Sequence, residues 1–129
     1  MTTELYLLML TVLLGMAHAF LGAETGFGQR PRRWTAGSRD EPMPPLTGVP
    51  ARLQRAQRNF LETFPLFAAA VIIAHLAGRN GDLTYWGALL YFWSRVLYVP
   101  LYAAGVYMLR SIVWSVSIVG IGLILLALV

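Results

Sequence analysis

No cysteine and no lysine occur in the 129 residues, and acidic side chains number only six. The lack of cysteine removes any disulfide framework, thiolate nucleophile or cysteine metal site. The lack of lysine removes Schiff-base chemistry. All ten basic residues are arginines, whose planar fork suits bidentate recognition of carboxylates or phosphates. The two histidines, His18 and His75, fall near opposite membrane faces on different predicted helices, so they cannot share a metal, and each is read as a packed or interfacial histidine. No other residues have ligand spacing, and no metal site is expected. Also missing are a glycine-rich phosphate loop, a GxSxG nucleophile elbow and a paired-carboxylate arrangement. Charge itself is scarce, with 12% of residues charged against 57% hydrophobic and a mean hydropathy of +0.61. A soluble domain of this length would be richer in charge, so the composition indicates one domain, residues 1–129, living in a bilayer. The net charge of +4 lies beside hydrophobic segments and leaves no soluble basic domain for nucleic acid.

What is present is a set of apolar runs. Residues 5–23 carry no charge, enough to span ~30 Å of hydrocarbon as a helix. The preceding residues lack the basic start of a signal peptide, so a first membrane helix is expected over about 3–22. A loop of about 23–50 follows, rich in glycine, proline and arginine, with Phe27 and Trp34 suited to the membrane interface. A second helix is expected over about 51–78, kinked near Pro65. A third covers about 83–104, bent near Pro100 and ended by Gly105, and a fourth covers about 107–128. Short second and third loops make these neighbours antiparallel, giving an all-α bundle of four membrane-spanning helices. Seven of the ten arginines lie between Arg30 and Arg58, which places the first loop in the cytoplasm and both termini on the opposite side. Small residues at Gly15, Ala19 and Gly22, and at Ser111, Ser115 and Gly122, suit close helix contacts.

Two polar stripes interrupt the apolar helices. On the second helix Arg55, Asn59, Glu62 and Leu66 recur at i, i+4, i+7 and i+11, with Arg58 beside them. On the third, Tyr91, Arg95, Tyr98 and Tyr102 recur at the same spacing. Counted from the cytoplasmic helix ends, Glu62 and Arg95 both lie ~15–17 Å deep, and Asn59 and Tyr98 ~10–12 Å deep. An unpaired arginine at mid-membrane costs ~2.5–3.5 kcal/mol, so a Glu62–Arg95 ion pair is expected. Arg55, Arg58, Arg110 and Arg52 then leave excess positive charge at the cytoplasmic mouth. Facing Asn59 and two tyrosines, that excess suits an anionic ligand and could stabilise a thiolate.

Arg55-Ala56-Gln57, followed by Asn59, Glu62 and Phe64-Pro65-Leu66-Phe67, resembles the second-helix signature of the MAPEG family. These are the membrane-associated proteins of eicosanoid and glutathione metabolism. Arg95, Tyr98, Tyr102, Arg110 and Trp114 resemble the same family's downstream pattern. The resemblance implies a homotrimer of four-helix subunits, with glutathione as co-substrate bound between neighbours near the cytoplasmic face. By position, Arg55, Arg58, Asn59, Glu62, Arg95 and Tyr98 would form the glutathione site. Arg110 and Tyr102 would be catalytic, with Arg110 the candidate thiol-activating arginine. The implied activity is a glutathione-dependent transferase or peroxidase acting on lipophilic electrophiles in contact with membrane lipids. Two alternatives are a non-catalytic lipid-binding or scaffold member and a small multidrug exporter. The exporter would need Glu62 to exchange protons, which its neighbouring arginines oppose by holding it ionised.

Overall fold

The computed structural model of the chain describes every residue except Phe27 and Tyr107, and only the backbone of residues 23–26. The expected interfacial position of Phe27 and the expected start of the last helix at Tyr107 lie outside the described residues. Five helices and no strand are present among those described: α1 (Thr3–Gly26), α2 (Arg32–Thr35), α3 (Gly48–Leu76), α4 (Asp82–Ala103) and α5 (Leu109–Leu126). Three of them, α1, α3 and α5, are long and apolar enough to cross a membrane. At 22 residues α4 is as long as α1's apolar span. Its tyrosines, Ser94 and Arg95 lower its hydropathy below theirs.

Two features differ from the sequence reading. The first helix runs on to Gly26, and the connector holds the short helix α2. Both internal prolines, Pro65 in α3 and Pro100 in α4, sit within continuous helices, as membrane helices tolerate.

The burial pattern explains the packing. On α3, Leu53, Ala56, Phe60, Thr63, Phe67, Ala70 and Ala74 recur every three or four residues and are buried. That stripe meets α1 and α4, while α4 packs most extensively along α5. The apolar core joins Leu7 of α1, Phe67 and Val71 of α3, Ala88 and Tyr91 of α4, and Ile121 and Ile124 of α5. Phe67 and Tyr91 stack with ring centroids 4.0 Å apart. Outward positions such as Leu61, Leu66, Ile72 and Ile73 remain exposed, as a lipid-facing surface requires.

The α4–α5 contact is close because two glycines face each other. A Cβ on Gly87 would lie 2.6 Å from the Gly120 carbonyl oxygen, and a Cβ on Gly120 equally close to that of Gly87. Gly122, expected to serve such a contact, instead faces open space. The ends of α3 and α4 share one device. Gly78 and Gly105 take left-handed φ values of 66° and 71°. In each case the glycine's own amide and the one after it turn back onto the last helical turn, as Gly105 to Tyr102 and Val106 to Leu101, forming a Schellman motif.

Candidate functional site

The polar residues divide between the two ends of the bundle. At the end holding the chain's N-terminus, Thr84 accepts the Gly81 amide at 2.8 Å and donates to the Glu4 carboxylate at 2.6 Å. Glu4 is 7% exposed, so this hydroxyl ties α1 to the start of α4 in a largely dry setting. Near the middle, the Thr63 and Tyr91 hydroxyls bond at 2.9 Å.

At the other end, α3 and α4 bring together part of the expected site. Arg55 Nε donates to the Tyr102 hydroxyl at 3.1 Å, so the outermost rung of the two facing stripes forms. The Arg110 guanidinium lies 5.2 Å from the centre of the Tyr102 ring and also faces Tyr98. Tyr98 and Tyr102 rings approach to 5.3 Å, and Arg95 sits over Tyr98 at 4.4 Å. Arg52 fastens the start of α3 to the end of α4 through a 3.0 Å bond to the Ala103 carbonyl. Tyr102 therefore meets two guanidinium groups, that of Arg55 from α3 at its hydroxyl and that of Arg110 from α5 over its ring.

The deeper rung does not form. The expected Glu62–Arg95 ion pair is absent: Glu62 is exposed on the outer side of α3, while Arg95 is completely buried. Helical geometry gives the reason. Thr63 belongs to the inward stripe, and its neighbour Glu62 is turned ~100° away from it. Arg95 instead faces inward, where it meets Phe60 at 5.9 Å and Tyr98. None of its three guanidinium nitrogens has a hydrogen-bond partner among the described residues. Asn59 Oδ1 is likewise buried without a partner. Arg58 is exposed on the same outer side as Glu62.

His18, expected only as a packed or interfacial histidine, joins this group. It is 4% exposed, its ring lies tilted against Phe60 with centroids 5.0 Å apart, and its Nε2 has no partner among the described residues. The signal was readable: Glu4, Leu7, Thr11 and His18 are the buried positions among the described side chains of α1 and fall on one heptad-spaced line. His75 lies exposed near the turn after α3, beside Asn80. Among the described residues no group of three or more potential metal ligands exists.

Next to Arg110 an apolar groove of about 460 Å³ opens between α4 and α5, lined by Leu90, Ser111, Ile112, Ser115, Val116 and Val119. A helical bundle with this apolar exterior and this arginine-rich end is a helical membrane protein. A profile of the MAPEG family matches residues 7–129, nearly the whole chain, and the chain belongs to that family. Comparisons with curated proteins and with solved structures give no match. Membership supports, at the level of the family, a membrane function related to glutathione transfer.

Proposed function

We propose that the protein is a glutathione-dependent transferase or peroxidase acting on lipophilic electrophiles that enter from the bilayer. The observation that carries this reading is the meeting of Arg55 and Arg110 at Tyr102. Arg55 donates to the Tyr102 oxygen, which leaves the phenol proton free to be donated onward and polarises it for that purpose. A hydrogen bond from Tyr102 and the positive field of Arg110 both favour a thiolate over a thiol at this place. Glutathione supplies the nucleophilic thiol. Arg55, Arg58, Asn59, Glu62 and Tyr98 offer charged and polar groups for its two carboxylates and its amine. The unpartnered Asn59 oxygen and Arg95 donors support a polar ligand or partner completing this end. The groove beside Arg110 offers an apolar electrophile a path from the lipid to the thiolate.

The same reading has α4 as a fourth spanning helix, since its 22 residues cover ~33 Å and it packs alongside α1, α3 and α5. It also has the protein working as a homotrimer. Arg55, Arg58 and Glu62 are exposed on a helix long enough to cross the membrane, and bare charge facing lipid is costly. Another copy packed on that face would cover it. The arginine-rich loop lies in the cytoplasm and both termini on the opposite side, by the excess of arginine near that end.

The test is heat stability of purified protein in detergent with and without glutathione, alongside conjugation and peroxide-reduction assays. Glutathione should raise the unfolding midpoint, and Arg55→Ala should weaken that effect about tenfold in glutathione concentration. Arg110→Ala should keep glutathione binding while lowering turnover by ~10²-fold. Turnover unchanged in Arg110→Ala would remove that residue from the catalytic role, and glutathione binding without turnover would favour the non-catalytic, lipid-binding reading. No stabilisation by glutathione and no activity with several electrophiles would sink the proposal.

A further inference from the structure

The turn that joins α3 to α4, at the end of the bundle far from Arg55, carries the dipeptide Asn80-Gly81. Residues 75–83 are exposed throughout, so the turn stands in water beyond the apolar span of α3. An asparagine before a glycine is open to attack from its own backbone. The nitrogen of the following residue can add to the side-chain carbonyl carbon, and glycine has no Cβ to obstruct it. The chain's other asparagine, Asn59, precedes Phe60 inside α3, where the helix holds the backbone amides.

Both reacting groups have neighbours that bear on this chemistry. Asn80 Nδ2 lies 3.5 Å from Nδ1 of His75, five residues earlier in the last turn of α3. A contact of that length is loose, yet it puts an imidazole beside the nitrogen that would leave. On the other side, the Gly81 amide donates to Thr84 Oγ at 2.8 Å, and Thr84 donates to the buried Glu4 carboxylate at 2.6 Å. The Gly81 carbonyl accepts the Tyr85 amide at 2.9 Å. Gly81 is thus held through both backbone groups as the cap of α4.

The two sets of contacts act at different steps. The Gly81 nitrogen is free to attack only when its N–H has left Thr84, so local opening of the cap comes first. Once that nitrogen has added to Asn80 Cγ, Nδ2 is an amine rather than an amide nitrogen. A proton from His75 then lets it depart. The nucleophile is restrained and the leaving group is assisted.

We propose that Asn80 is a self-modification site that cyclises onto the Gly81 nitrogen, with His75 as the acid and the Glu4–Thr84–Gly81 bonds setting the rate. The bond between Gly81 N and Asn80 Cγ forms, and the Gly81 amide proton passes to solvent. The Cγ–Nδ2 bond breaks, and ammonia departs with the proton from protonated His75. Water then opens the cyclic imide at either carbonyl, leaving an aspartyl or an isoaspartyl residue at position 80. The two products differ in consequence. An aspartyl carboxylate just before α4 suits the positive end of that helix. An isoaspartyl linkage puts an extra methylene into the backbone and carries the Gly81 amide away from Thr84. The second product therefore loosens the start of α4 from Glu4 and α1, and the turn acts as a slow clock at this end of the bundle.

The test incubates the purified full chain in detergent in neutral buffer made with heavy-oxygen water, well below the unfolding midpoint of each variant. Samples are then digested in ordinary water, and peptides are read by mass spectrometry with fragmentation that separates aspartyl from isoaspartyl. Heavy oxygen should appear at position 80, in both forms, and not at Asn59. A Cβ on Gly81 meets nothing within 4 Å, and its φ of −176° suits any residue, so Gly81→Ala should keep the unfolding midpoint. The same variant should slow the labelling about tenfold by obstructing the nucleophile. Thr84→Val, which frees the Gly81 amide, should speed it about fivefold. His75→Leu should slow it about tenfold. The midpoint should fall as the wild-type chain ages and hold steady in Gly81→Ala. Labelling as fast in Gly81→Ala as in the wild-type chain, or as fast at Asn59 as at Asn80, would overturn the proposal. An unchanged rate in both His75→Leu and Thr84→Val would overturn the roles assigned to their contacts.

Discussion

The two ends of the helix bundle treat buried polar groups in opposite ways. At the Glu4 end each buried polar side chain has its partner: Thr84 with Glu4, Thr11 with the Leu7 carbonyl, and Thr63 with Tyr91 nearer the middle. Among the described residues, the buried side-chain atoms without one all lie at the arginine end: His18 Nε2, Arg30 Nε, Asn59 Oδ1 and the three nitrogens of Arg95. Buried polar groups in a finished core are satisfied, because an unmade bond costs the full desolvation of the group. The Glu4 end is thus complete within one chain. The arginine end awaits something else, whether ligand, lipid or a second copy.

That contrast can be attacked from both sides. The largest effect is expected where α4 and α5 touch. Gly87→Ala and Gly120→Ala each push a methyl to 2.6 Å from a backbone oxygen and should destabilise the fold by ~3 kcal/mol, seen as a lower unfolding midpoint in detergent. Arg95→Met comes next and tests the open end directly. If a partner completes Arg95 in the working protein, its loss should cost ~3 kcal/mol and remove stabilisation by glutathione. A rise in the midpoint would instead mean that the guanidinium stays unpaired in the assembled state. Thr84→Val strips the Glu4 carboxylate of its hydroxyl partner and should cost ~1–2 kcal/mol, with the effect of glutathione preserved. Altered glutathione affinity in that variant would break the separation of the two ends. The smallest effect is expected at Gly122, where a Cβ meets nothing within 4 Å. Gly122→Ala should be neutral or stabilising by ~0.5 kcal/mol, read in the same melts.

The two glycine predictions also show how far patterns along the chain can reach. A glycine inside an apolar helix suggests a close contact, yet Gly122 and Gly120 stand two positions apart and only one faces α4. The site behaves similarly. Facing stripes correctly brought Arg55 to Tyr102, because both lie near helix ends where a long side chain can swing across. The same reasoning failed for Glu62 and Arg95. Equal depth does not make two residues face each other, and the ~100° turn per residue carries Glu62 off the buried face. His18 was legible as a packed residue but not as a neighbour of Arg95, since nothing local to α1 says which helix covers it.

The order of apolar runs, the glycine that ends α4, the arginine-rich connector and the family signature follow from the chain alone. Each depends on residues close in sequence or on composition, and hydrophobicity and backbone preference act locally. Which polar groups meet was settled by helix rotation and packing. Phe60, Phe67 and the Gly87–Gly120 contact fix how α1, α3, α4 and α5 turn toward one another. That rotation buried Arg95 and exposed Glu62, because a side chain's partners depend on the face its whole helix presents.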